Sequence, residues 1–170
     1  MDYLKLVRLL FDYNDWAFGL MWGSIDQLDD AQFTAELDYS FGSIHNQVIH
    51  IISSHRRWLD RLRMQDVSPH LKFSDFPTKH SAKAEWDNTQ VEVLDYVHSL
   101  DQSDLDQEVA YELRGRSFQG KSRRWEILLH LANHSTDHRS QILAMMAIRF
   151  GIATPEQDLL FYLWNRDLDT

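Results

Sequence analysis

From Ser122 to Phe150 the chain carries one long apolar, helix-forming run, and within it histidines recur at positions 130, 134 and 138. This stretch limits the possible folds more than any other. A helix of that length must bury its apolar stripe against other elements of similar length, which points to a bundle. Residues four apart on a helix lie one above the other, roughly 5–6 Å between Cβ atoms. Two imidazoles so placed can aim nitrogens at one point, which is how H-x-x-x-H on a helix holds a transition metal.

At about 100° per residue, with Leu131 as the origin, His138 falls about 20° and His134 about 60° off the centre of the buried stripe. His130 stands out at about 100°, on the shoulder. Burying an imidazole costs desolvation of its nitrogens unless each finds a partner. A metal shared by His134 and His138 would serve both, whereas hydrogen bonds to neighbouring helices would serve each separately.

The remaining chain supplies partners for that helix. Tyr3 to Leu28 repeats apolar residues with helical spacing, with Asp2 placed to cap it; Gly19 and Gly23 weaken it. Asp29-Asp30 reads as a turn, followed by a short linker through Phe33 and Leu37. A second helix opens at Ser40-Phe-Gly-Ser43 and runs to about Met64. Residues 65–80 hold Pro69 and Pro77 and read as a long loop, long enough to cross the bundle end. Ser81 is the expected cap of a third helix ending near Leu100. Between 101 and 122 the period shortens, and Glu108–Leu113 with the segment after Arg114-Gly115 reads as a small β-hairpin. Gly151 ends the long helix, and Asp158 to Arg166 forms a short terminal one. The expectation is an all-α four-helix bundle with a long crossover loop, in one domain over residues 1–170.

Composition narrows the chemistry. The chain has no cysteine, so a metal must be held by nitrogen and oxygen. Its net charge of −9, from 17 basic and 26 acidic residues, argues against nucleic-acid binding, which depends on neutralising phosphates. Two basic clusters, Arg56, Arg57, Arg61, Arg63 and Arg114, Arg116, Lys121, Arg123, Arg124, read as solvated helix faces or as a patch for an anionic substrate or partner. The first residues lack a basic stretch followed by an apolar one, and no apolar run approaches the ~20 residues of a membrane span. A cytoplasmic location is expected.

A metal site needs ligands from a second helix, where His45, His50 and His55 are available. With Val48 as origin, His55 lies about 20° off the apolar stripe and His50 on nearly the opposite side, at about 200°. Periodicity alone nominates His55.

Three blocks bring a family into view. Tyr13-Asn14-Asp15-Trp16-Ala17, then Ser43-Ile44-His45 with His50-Ile51 and Trp58-Leu59, then His130, Asn133-His134, Thr136, His138-Arg139 and Gln141 resemble, in order, the motifs of the DinB family. The resemblance spans nearly the whole chain and implies a metal-binding four-helix bundle. It places the metal ligands on His50, His134 and His138, against the nomination of His55. Departures stand at His55, usually acidic in the family, at Asp137, often His, and at Ser140, usually Gly. His55, His130 and Asp137 are therefore candidates for an extra ligand, and Asp12, Asp15 and Asp137 for partners of the ligand rings. Arg139 is a candidate for holding an anionic ligand group or for a helix-surface ion pair.

Three neutral imidazoles suit zinc or nickel. Such a centre, open on one side, lowers the pKa of a bound water or thiol and polarises carbonyls. The family resemblance implies hydrolase-like chemistry, or transferase or isomerase chemistry with a low-molecular-weight thiol, in a homodimer. The alternative expectation is a stress-response binding module whose metal is structural or sensing.

Overall fold

The computed structural model describes residues 3–113 and 118–168; the expected cap at Asp2 and the Arg114-Gly115 turn lie outside the described residues. Four long helices dominate it: α1 (Tyr3–Ile25), α3 (Ile44–Leu62), α4 (Lys79–Ser99) and α5 (Arg124–Phe150). Two short ones, α2 (Asp30–Thr34) and α6 (Leu159–Leu168), and the strands β1 (Glu108–Leu113) and β2 (Phe118–Arg123) complete it. The chain folds as an all-α bundle with a small hairpin.

The helices begin and end where side chains meet their unpaired backbone groups. Ser43 caps α3 by accepting the Asn46 N–H at 3.0 Å. The cap of α4 is Thr78 rather than Ser81: the Thr78 hydroxyl accepts the Ser81 N–H, while the Ser81 hydroxyl accepts the Thr78 N–H, both at 3.1 Å. Ser81 is thus the third helical residue, closing a capping box, and the helix starts three residues earlier than expected. The expected linker after Asp29 contains α2, capped by Asp29 at Gln32 N–H and buried through Phe33. At the far end of α5, Gly151 takes φ 68°, the left-handed stop that glycine accommodates without strain.

Helix α1 packs on α4 and α5, and α3 packs on the same two. Consecutive helices α1 and α3 therefore lie across the bundle from each other, as do α4 and α5. The departure from simple up-and-down order arises at the first connection, which holds α2, and at the third, which holds the hairpin. Residues 63–78, the long loop, join neighbours. Strands β1 and β2 pair antiparallel from Glu108↔Arg123 to Leu113↔Phe118, at the end of the bundle where α3 finishes and α5 begins.

Two apolar clusters fill the interior. One gathers Phe18, Met21, Trp22, Ile44, Ile51, Trp86, Ile142 and Met146. The other gathers Leu4, Val7, Phe11, Leu59, Val93, Val97, Ile127 and Leu131. Between them on α1, α3 and α5 lies a layer of polar residues with low exposure: Asn14, His55, Ser135, His138 and Arg139. The candidate site sits at the edge of that layer.

Candidate metal centre

Helix α5 supplies His134 and His138, one turn apart, and α3 supplies His50 from across the groove between the two helices. One nitrogen from each ring lies within 4.8 Å of the others. The Nε2 atoms of His134 and His138 are 3.1 Å apart. Two nitrogens bound to one zinc at about 2.0–2.1 Å in tetrahedral array stand roughly 3.3 Å apart. Two bare lone pairs at 3.1 Å repel, so either one ring is protonated there or a cation lies between them. The donor set and its spacing fit a late first-row divalent ion.

The rings are poised as ligands. Burial, and then the neighbouring His138 and His70, hold His50 down to about 4, below its usual 6.5. Burial and the surrounding imidazoles push His134 to about 3. His138 is lowered too, by burial, against the pull of Asp137 and Gln141. All three are therefore neutral near pH 7, as a metal requires. Phe41 closes one side, its ring stacked on His50 at 4.0 Å and edge-on to His138 at 5.9 Å. It is set there by a bend in which Ser40 takes φ 51°, a left-handed conformation that costs a non-glycine residue free energy.

One partner of the ligands escaped the sequence reading. Gln47, fully buried, places its amide nitrogen 2.5 Å from His138 Nδ1 and 2.6 Å from Gln141 Oε1, and its Oε1 accepts from the Ser40 hydroxyl at 2.9 Å. Its position one turn before His50 on the same helix was the available signal. Asp12, Asp15 and Asp137 do not serve the rings. Asp12 faces His98 at 2.8 Å, Asp15 meets the Gln90 side chain, and exposed Asp137 accepts from Gln141 at 3.2 Å.

His55 is placed differently from what periodicity nominates. It is 3% exposed, flanked by Phe18 and Trp86. The Ser135 hydroxyl donates to the Leu131 carbonyl at 2.8 Å, so His55 Nε2–H donates to Ser135 Oγ at 2.9 Å. Its Nδ1 is buried without a partner. A wheel ranks residues by one stripe, but α3 has two neighbours: His55 points to the core and His50 to the α5 edge. His45 binds the loop instead, its Nε2–H donating to the Phe76 carbonyl at 2.7 Å. His130 sits 5.8 Å from His134 between ring centroids and edge-on to Trp58.

Arg139 is neither an exposed ion pair nor open to a ligand. It is 1% exposed and donates to Asn14 Oδ1 at 2.7 Å, Gln157 Oε1 at 2.5 Å and the Tyr13 hydroxyl at 3.3 Å. Its guanidinium lies over Phe18 and Tyr13. The Tyr13-Asn14 block and Arg139 thus form one structural clamp between α1, α5 and the segment before α6. Met21, Trp22, Met145 and Met146 are core, while Trp164 is exposed on α6.

No described helix is long and apolar enough to cross a membrane. Comparison of the chain with curated proteins gives no match. The sequence model of the DinB family matches residues 2–168. With that match over nearly its full length, and a histidine cluster on the second and last long helices of a bundle, the chain belongs to the DinB family.

Proposed function

We propose that the chain is a metal-dependent enzyme that holds zinc or nickel on His50, His134 and His138. The observation that carries this reading is the number of donors. The three imidazoles converge, and among the described residues no fourth histidine or carboxylate joins the group. His55 Nε2 is taken by Ser135, and Asp137 faces solvent. A sphere left open by the protein is the arrangement of catalytic rather than structural sites. An ion bound there supplies Lewis-acid activation of water or a thiol and polarises a carbonyl.

The chain's own residues then have defined work. Gln47 fixes the ring of His138, Phe41 walls one side of the ion, and neutral imidazoles leave the ion its positive charge. The reaction class is taken from what the family resemblance implies, hydrolase-like, or transfer or isomerisation with a low-molecular-weight thiol, and so is the homodimer. The competing reading, a binding module with a structural metal, requires a closed sphere and lacks a fourth histidine or carboxylate among the described residues.

The test compares zinc-loaded, nickel-loaded and metal-stripped protein on panels of ester hydrolysis and thiol conjugation. Turnover that appears with metal and disappears in His134→Ala supports the reading. Absence of metal-dependent turnover throughout, with metal bound, favours the structural alternative. Light scattering tests the dimer.

A further inference from the structure

Along α5 one stripe drifts slowly around the helix through Glu126, His130, His134 and His138, each roughly 6 Å further along the axis. The last two belong to the metal cluster; the first two face a hollow of about 180 Å³. Its walls are rings. Trp58 of α3 stands 5.3 Å from His130 and 5.2 Å from Tyr111 of β1, inclined at 68° and 72°, so both rings meet the indole edge-on. Buried Ile127 closes the inner side, and Ser122 and Glu126 complete the lining.

Two of the three walls are held in place by contacts of their own. Outside the hollow, the Arg61 guanidinium lies over Trp58 at 4.8 Å, and Arg61 is itself fixed by donating to the carbonyls of Arg57 at 2.9 Å and Glu112 at 3.3 Å. The Tyr111 and Ser122 hydroxyls share a hydrogen bond at 3.1 Å. Little ordering is therefore left for a ligand to impose. Trp58 and Tyr111 are half-buried and His130 is exposed, so ring surface faces water that an apolar group would displace.

Size and charge narrow the occupant. An apolar cavity of roughly 150 Å³ admits benzene, so a single six-membered ring fits here. Three ring walls offer the offset and edge-to-face contacts that another aromatic ring makes best. The exposed Glu126 carboxylate at the mouth disfavours an anion, and the guanidinium already over Trp58 disfavours a cation on the same π system. The hollow also adjoins the metal centre, since the His130 and His134 ring centroids are 5.8 Å apart.

We propose that this hollow is the subsite for an uncharged aromatic ring of the substrate, held about one helical turn from the ion. The proposal deepens the metal-enzyme reading and rests on it for the reaction: among carbonyl and thiol compounds, it selects those with an aryl group a few bonds from the reacting atom.

The test titrates benzyl alcohol into metal-free protein and follows the Trp58 indole N–H by NMR, that resonance being identified by its loss in Trp58→Phe. Saturable binding with a Kd on the order of 1 mM is expected for so small a probe. Cyclohexylmethanol, similar in size but without a π face, should bind about three- to tenfold more weakly. His130→Ala, at an exposed position, should weaken benzyl alcohol by about the same three- to tenfold. With cobalt(II) on the histidine cluster, paramagnetic relaxation should place the bound ring about 6–12 Å from the ion. No saturable shift at Trp58, equal affinity for the two alcohols, or binding unchanged in His130→Ala overturns the proposal, even if the metal binds as expected. Ring binding by a protein that takes up no cobalt overturns the metal reading alone.

Discussion

A histidine nitrogen can ligate a metal only when the ring's proton sits on its other nitrogen, and for His138 that choice rests with Gln47. In the structure the Gln47 amide nitrogen faces Nδ1, which puts the ring proton on Nε2; turning the carboxamide over places its oxygen at Nδ1–H and frees Nε2 for an ion. Gln47→Leu preserves bulk and removes the carboxamide that meets the ring. Zinc affinity, measured by competition with a chelating dye, is expected to fall about 10–100-fold in this variant; an unchanged affinity would deny Gln47 its role. Arg139 makes a contrasting case, since it neighbours a ligand in sequence yet acts on stability. Arg139→Met leaves the oxygens of Asn14, Tyr13 and Gln157 without their donor, and a loss on the order of 3 kcal/mol in urea denaturation is expected. Arg139→Lys should recover little of it, because an ammonium cannot reproduce three divergent N–H directions.

At the scale of elements, α5 was largely legible in the sequence because one period, one stop at Gly151 and one histidine spacing agree along it. Helix α2 was not, because five residues carry too little period to register; Asp29 with Gln32 was its only mark. The hairpin was legible from its shortened period. His50 could not be chosen over His55 from the wheel, since a helix between two neighbours buries one stripe and offers a polar edge that periodicity does not rank. The family motif supplied that choice. Gln47 was missed for a related reason: nothing in a buried glutamine's sequence context says which ring it will meet. Helix α1 offers a direct check on propensity. A Cβ at Gly19 would meet nothing within 4 Å, so Gly19→Ala should stabilise the protein by about 0.5–1 kcal/mol, read as a higher denaturation midpoint.

For the whole molecule, the layer of polar groups between two apolar clusters makes stability depend on pH. His55, buried among aromatic rings, is held to about 4 by burial and by His50, against an ordinary 6.5. Above about 6.5 it is neutral folded and unfolded and contributes no dependence. As pH falls from there toward about 4, the unfolded chain takes up a proton that the folded chain refuses, so stability drops. His50, held to about 4, and His134, pushed to about 3, act in the same direction. The urea midpoint of the metal-free protein should therefore be flat above neutrality and decline through this window; a rise on acidification would contradict the assigned burial. All of these properties surround one claim, that rings from α3 and α5 share an ion. Anomalous diffraction at the zinc edge, from crystals grown with zinc, tests it most directly. The account predicts one peak about 2.0–2.1 Å from a nitrogen each of His50, His134 and His138, with at least one non-protein ligand. No peak among those rings, or a sphere closed by a fourth side chain, would contradict it.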